Sequence, residues 1–214
     1  MIDAATTQRA SGGPFAHLLY SSVLFPILHK LLNHDSKRHA EEYLIESGLP
    51  WTVIQPSHLM ENFPLAKVLR EEEPTYPIPY DPATVFTWTT TKDLACATAR
   101  ILQERKTHLF AVYPLVSTRP GTYHDVVRWF GDAIGKEITI ERVSPFEAAE
   151  MMAKAAAGGA KDAKVIFKRM LIYYDERGLV GNSSVLEMLL GRKPMSYAEW
   201  ARVKVGEVRA ELGL

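Results

Sequence analysis

The sequence predicts an α/β fold, a partial parallel sheet followed by a mostly helical region, and three observations carry that reading. An apolar run, a helical stretch of about a dozen residues and a second apolar run follow one another between Phe15 and Gln55, which is the βαβ crossover of a parallel sheet. Neither apolar run alternates with polar residues, as expected of strands covered on both faces. Beyond Pro114 the signals are mainly those of helix caps and helical periodicity.

The elements follow in order. Residues 1–14 are polar and rich in small residues and read as a disordered leader. Phe15 to Ser22 is the first strand, ending in Tyr20-Ser21-Ser22. Asp35 to Ser47 is a helix with Ala40, Tyr43, Leu44 and Ser47 on one face, stopped by Gly48. Trp51 to Gln55 is the second strand, closed by Pro56. Glu61 to Arg70 reads as helix and Pro74 to Pro82 as an extended loop. Val85 to Thr89, β-branched and aromatic by turns, reads as a short strand. Thr91 to Leu102 has the helical period through Leu94, Ala95, Thr98, Ile101 and Leu102, and His108 to Tyr113 is a further buried strand. Thr122 to Ile134 is amphipathic through Val126, Val127, Phe130 and Ile134, and Gly135 ends it. Ile138 to Ile140 is a brief strand. Ser144-Pro145-Phe146-Glu147 combines an N-cap serine, a first-turn proline and a glutamate three residues on, and Ser196 with Glu199 repeats the box for the last helix. Between them Gly158-Gly159 is expected to break helix.

Composition narrows the function classes. Of 214 residues, 47% are hydrophobic and 23% charged, enough apolar material to bury a core. Lys plus Arg and Asp plus Glu both number 25, so there is no basic surplus to neutralise nucleic-acid phosphates or an anionic membrane. Cys96 is the only cysteine, which excludes an intrachain disulfide and a cysteine-based zinc site and suits a reducing compartment. The N-terminus is not a secretory signal, and no run approaches the ~20 apolar residues of a membrane span. The default localisation is cytoplasmic.

An ordered series of motifs adds to this. Tyr20-Ser21-Ser22, Lys37, the stretch from Glu41 through Ser47-Gly48-Leu49-Pro50, then Thr52-Val53-Ile54-Gln55-Pro56 and Met60-Glu61-Asn62 resemble the NmrA-like family, atypical relatives of the short-chain dehydrogenases. Lys92-Asp93-Leu94-Ala95 is similar to that family's helix start, and Tyr173-Tyr174-Asp175, Gly178-Leu179, Gly181-Asn182 and Leu190-Gly191-Arg192 to its C-terminal signature. The resemblance runs from about Phe15 to about Val205. It implies a Rossmann-like sheet in which Phe15 to Ser22 is the fifth strand and Trp51 to Gln55 the sixth, with the first four upstream of Met1. On that reading residues 15–113 are the C-terminal half of an NAD(P)-binding domain, residues 114–214 its helical substrate-side region, and the chain is N-terminally truncated. Gly12-Gly13 follow no predicted strand and precede no predicted helix, so the glycine turn that cradles a diphosphate is absent from the expectation.

The resemblance implies NAD(P) as cofactor and points to Ser21, Ser22, Lys37, Pro56 and His58 as its surroundings. In short-chain enzymes a helical Lys lowers the pKa of a Tyr one turn earlier, the proton donor, and holds the nicotinamide ribose; here Asn33 stands in the tyrosine's place and Lys37 remains as the catalytic candidate. Ser21 and Ser22 either face the nicotinamide or serve a strand-to-loop turn. Pro56, Ser57 and His58 close the second strand, and His58 has an ordinary pKa suited to proton transfer near neutrality. His17, His29, His34, His39, His108 and His124 show no metal-ligand spacing. Trp51, Trp88, Trp129 and Trp200 read as core or junction packing, Cys96 as buried and inert. Tyr76 to Tyr80 is either a substrate mouth or a surface loop.

Three functions remain open: an NAD(P)-dependent reductase of small carbonyls or quinones, a redox-sensing regulator of transcription that binds without turnover, and a fragment without activity of its own. The last implies an exposed edge on the Phe15 strand, and hence self-association, a protein partner or partial molten character.

Overall fold

The computed structural model describes residues 1–156 and 162–213. The expected leader is in fact helix α1 (Ile2–Ala10). Its polar composition hid it, since Ala5 is its one buried residue, but tertiary contacts hold it. Ala5 and Ile2 pack on Leu18, Leu44 and Trp51, Arg9 donates to the Gly48 carbonyl at 3.2 Å, and Tyr43 donates to Asp3. Strand β1 (Leu18–Ser21), helix α2 (Leu32–Glu46) and strand β2 (Trp51–Pro56) then form the expected crossover. Gly48 reverses the chain at φ 70°, a left-handed turn that glycine enters without a Cβ penalty.

The next stretch departs from expectation. Pro64 cannot continue a helix, so Glu61 lies in a 3₁₀ turn (Met60–Asn62) that follows strand β3 (His58–Leu59), and only Leu65–Arg70 forms α3. The expected loop contains β4 (Thr75–Ile78). Strand β5 (Trp88–Thr89) pairs in parallel with β3. Helix α4 (Thr91–Gln103) is capped by the Thr90 hydroxyl and buries Asp93, Ala97 and Ile101, a stripe turned away from the one expected, so Cys96 is exposed rather than buried. A helical turn, α5 (Arg105–His108), delays the next strand, β6, to Ala111–Leu115. Helix α6 (Tyr123–Ile134) carries a complete capping box between Thr122 and Asp125 and ends on left-handed Gly135. Strand β7 (Thr139–Arg142) pairs in parallel with β4, and α7 (Pro145–Ala155) starts at Ser144 as the sequence indicates. The expected break at Gly158-Gly159 lies outside the described residues. Helices α8 (Ala163–Arg177), α9 (Ser184–Leu190) and α10 (Tyr197–Leu212) complete the chain, the last with the Ser196–Glu199 box in place.

The central sheet has the order β1-β2-β6, all parallel, with Leu18 opposite Trp51 and Thr52 opposite Ala111. Successive strand residues point to opposite faces. Leu18, Trp51 and Val53 meet Leu44 of α2 and Ala5 of α1, whereas Leu19, Ile54, Tyr113 and Leu115 meet Ala97 and Ile101 of α4 and Leu186 and Leu189 of α9. A third, larger core brings α3, α6 and α10 around Phe63, Phe130 and Trp200. Trp51, Trp88 and Trp200 are buried, as expected of packing residues. The two parts of the chain interlock across residue 113, because α9 covers the sheet and β7 pairs with β4.

Candidate functional site

Parallel strands put their carboxyl ends on one rim, and there the sequence-derived candidates gather. The pairing of β1 with β2 continues past the strand ends: the Ser22 amide donates to the Ile54 carbonyl at 2.8 Å and the Leu24 amide to Pro56 at 2.9 Å. Alternation therefore turns the Ser21 carbonyl away from β2. Lys37, on α2, donates to it from Nζ at 3.2 Å, and the same ammonium lies 5.2 Å from the centre of the Tyr20 ring. Ser21 is exposed. Ser22 is buried, and its Oγ has no hydrogen-bond partner among the described residues.

One turn before Lys37, the Asn33 amide donates to Met170 Sδ at 3.3 Å, while its buried Oδ1 lacks a partner. His34, completely buried, sits beside it. Its Nδ1 lies 2.9 Å from the Phe25 carbonyl, which can only accept, so Nδ1 carries the proton. Nε2 is then the acceptor, and the Tyr174 hydroxyl donates to it at 2.7 Å. Burial lowers the His34 pKa and keeps the ring neutral. Phe25, whose carbonyl accepts the bond from His34, has a left-handed φ of 56°, which a phenylalanine adopts at a cost.

Across Tyr174 lies His58. Its ring stacks on Phe86 (centroids 5.1 Å), meets Tyr174 edge-on (4.8 Å) and faces Tyr80 at 6.4 Å. Desolvation by these rings, with a smaller push from His34, drives its pKa down to about 4. This corrects the expectation of proton transfer near neutrality: at pH 7 His58 is neutral and holds no proton to give as an imidazolium. Burial also raises the pKa of Tyr80 and Tyr174, so both hydroxyls stay protonated. Tyr80 is buried in this cluster and half-buried Tyr76 packs between Phe63 and Tyr123, so both rings rest on the core rather than on a free surface loop.

The structure thus joins Lys37 to Ser21 directly, sets Pro56 beside them through the backbone, and links His58 to the same helix through Tyr174 and His34. Ser57 is a structural anchor, donating from Oγ to the Thr87 carbonyl at 2.7 Å. His34 and Tyr174 were missed as a pair by sequence reasoning; the signal was there in Tyr173-Tyr174-Asp175, but nothing local connects it to His34. Gly12 and Gly13 lie in the turn from α1 into β1, the reverse of a strand-to-helix cradle. Among the described residues no group of three or more His, Cys, Asp or Glu could hold a metal ion, and no helix is long and apolar enough to cross a membrane.

A family model described as the NmrA-like family matches residues 1–194. Among solved structures, the chain is similar to an NADPH-dependent quinone oxidoreductase from Escherichia coli complexed with NADPH, at TM-score 0.76 and 20% identity over 95% of this chain and 70% of that one. It is similar to the Citrobacter sp. triphenylmethane reductase complexed with NADP(H), at TM-score 0.74 and 18% identity over 95% and 69%. It also resembles NmrA, a negative transcriptional regulator, in complex with NADP, at TM-score 0.71 and 16% identity over 100% and 71%. No curated protein sequence matches.

Proposed function

The chain belongs to the NmrA-like family, and from that premise we propose that it holds the nicotinamide end of NAD(P) on the rim formed by β1, β2 and α2, as a reductase of small carbonyls or quinones. Residues 15–113 supply the rim and residues 114–214 the substrate side. The observation that carries the reading is the Lys37 ammonium on the Ser21 carbonyl, beside the partnerless Ser22 Oγ. A charged donor and a desolvated hydroxyl at the carboxyl end of parallel strands suit the polar carboxamide and ribose of a nicotinamide nucleoside. Three fold relatives are described with NADPH, NADP(H) or NADP, which supports the same ligand class.

When bound, the nicotinamide supplies a hydride. The chain's own contribution is to orient and to exclude water. Lys37 donates from Nζ, Ser21 offers an exposed hydroxyl, and the neutral rings of His58, Phe86 and Tyr174 form a dry wall behind the rim. A second reading, binding without turnover as in a redox-sensing regulator, is favoured by one feature. Asn33, which cannot titrate, stands where the short-chain enzymes carry their proton-donating tyrosine, and His58 is already neutral at pH 7, so that general acid has no counterpart among these groups. The single cysteine and the absence of a long apolar helix among the described residues support a cytoplasmic setting.

Titration with NADPH followed by tryptophan fluorescence tests binding, and a panel of quinones and aldehydes then separates enzyme from sensor. Lys37→Ala is expected to weaken NADPH binding roughly tenfold, the loss of a charge-assisted hydrogen bond of about 1.5 kcal/mol. Unchanged affinity would remove Lys37 from the site, and no saturable uptake by the native chain would end the proposal.

A further inference from the structure

The geometry points to a second binding site, separate from the rim: a cleft between the Ile27–Leu31 loop and helix α8, shaped for a small amphipathic anion, an apolar ring or chain bearing a carboxylate or similar group. The cleft encloses about 600 Å³, within the range of small-molecule sites. Its apolar lining comes from Ile27, Leu28, Ile172 and Tyr173, and its cations from Lys30, Arg169 and Arg177. His29 and Glu176 complete the border.

Two features define the chemistry of this cleft. Ile27 is 74% exposed, an aliphatic side chain left in water beside other apolar groups. Two residues before it, Phe25 has a left-handed φ of 56° and its carbonyl accepts from His34 Nδ1 at 2.9 Å. Second, Lys30, Arg169 and Arg177 gather on one border, and none of the three forms an ion pair among the described residues. Arg177 instead lies 5.9 Å from the Tyr173 ring. Glu176 is the one carboxylate on the border, so the cleft keeps a positive excess.

An apolar patch beside uncompensated guanidinium groups recognises a ligand with the same division. Its apolar part covers Ile27 and Tyr173, and its anionic end takes the planar donor fork of an arginine. The footprint favours a small molecule over a protein, because a stable protein interface needs about 800 Å² from each partner, more than this short cleft presents.

The test uses 2-naphthoate as the probe and the neutral 2-naphthol as its control, each titrated calorimetrically into the full chain. Naphthoate is expected to bind at least tenfold more tightly than naphthol and to weaken as salt is raised. The double substitution Arg169→Ser with Arg177→Ser should remove that preference at least tenfold, while Ile27→Asp should weaken both ligands. These residues are exposed, and circular dichroism melts confirm that the variants remain folded. Lys37→Ala, on the rim, should leave naphthoate binding unchanged. Equal affinity for the two probes, insensitivity to the arginine substitutions, loss on Lys37→Ala, or binding of an acidic peptide in preference to naphthoate would each overturn the assignment.

Discussion

At the scale of the residue, burial decides what a titratable side chain can do. His58 sits among aromatic rings, and its pKa falls from 6.5 to about 4. As pH drops below 6.5 the unfolded chain takes up a proton at this position while the folded chain does not. Its contribution to stability is therefore complete above pH 6.5 and is lost progressively as pH falls toward 4. A shift of this size corresponds to about 3 kcal/mol over that window. His58→Phe should flatten the acid limb of a melting-temperature profile between pH 6.5 and 4 by close to one proton. Part of the limb should remain, because buried His34 acts in the same direction. An unchanged slope would mean that His58 is hydrated and free to titrate. Lys37 was legible in the sequence because helical spacing and strand-end position are local facts. His34 and Tyr174 were not, since 140 residues separate them and their partnership exists only once α8 packs on α2.

At the scale of the element, local chemistry was read well and long-range pairing poorly. The helix start at Ser144 and the box at Ser196–Glu199 were visible because a cap needs only four consecutive residues. Strand β4 was not, since its partner β7 begins at Thr139, and Pro77 made the segment read as loop. Helix α1 was hidden for a similar reason: its one buried residue, Ala5, gives no periodicity. Two glycines show how the same residue type can matter to different degrees. Gly178 ends α8 at φ 64°, and a Cβ there would stand 2.0 Å from the Val85 carbonyl oxygen. Gly178→Ala must therefore push Val85 aside and disturb the bond from the Thr87 amide to the Leu179 carbonyl. Gly48 has a similar φ, 70°, with open space around it. Gly48→Ala should cost about 1 kcal/mol, the strain of a left-handed alanine alone, and Gly178→Ala clearly more, upwards of about 2 kcal/mol. Urea denaturation of both variants checks the ranking, and equal losses would show that the Val85 contact relaxes freely.

At the scale of the whole molecule, the faces of the sheet and its edge are in different states. Helices α1 and α2 cover one face and α4 and α9 the other, so both apolar faces of the sheet are buried. The edge is another matter. Among the described residues β1 pairs with β2 alone. The amides of Leu18 and Ser22 donate to Pro50 and Ile54, so alternation directs those of Leu19 and Ser21 outward. Lys37 occupies the Ser21 carbonyl, but among the described residues the outward amides have no partner. Unpaired strand edges template the addition of another strand, and a net charge of zero removes the repulsion that would keep copies apart. We therefore expect the chain to self-associate through β1 as its concentration rises. Light scattering after size exclusion should give a mass that grows with loading. Hydrogen exchange should resolve the contact, with Leu18, Tyr20 and Ser22 protected at every concentration and Leu19 and Ser21 protected only in the associated form. A mass that stays monomeric, with Leu19 and Ser21 exchanging fast throughout, would show that this edge recruits nothing.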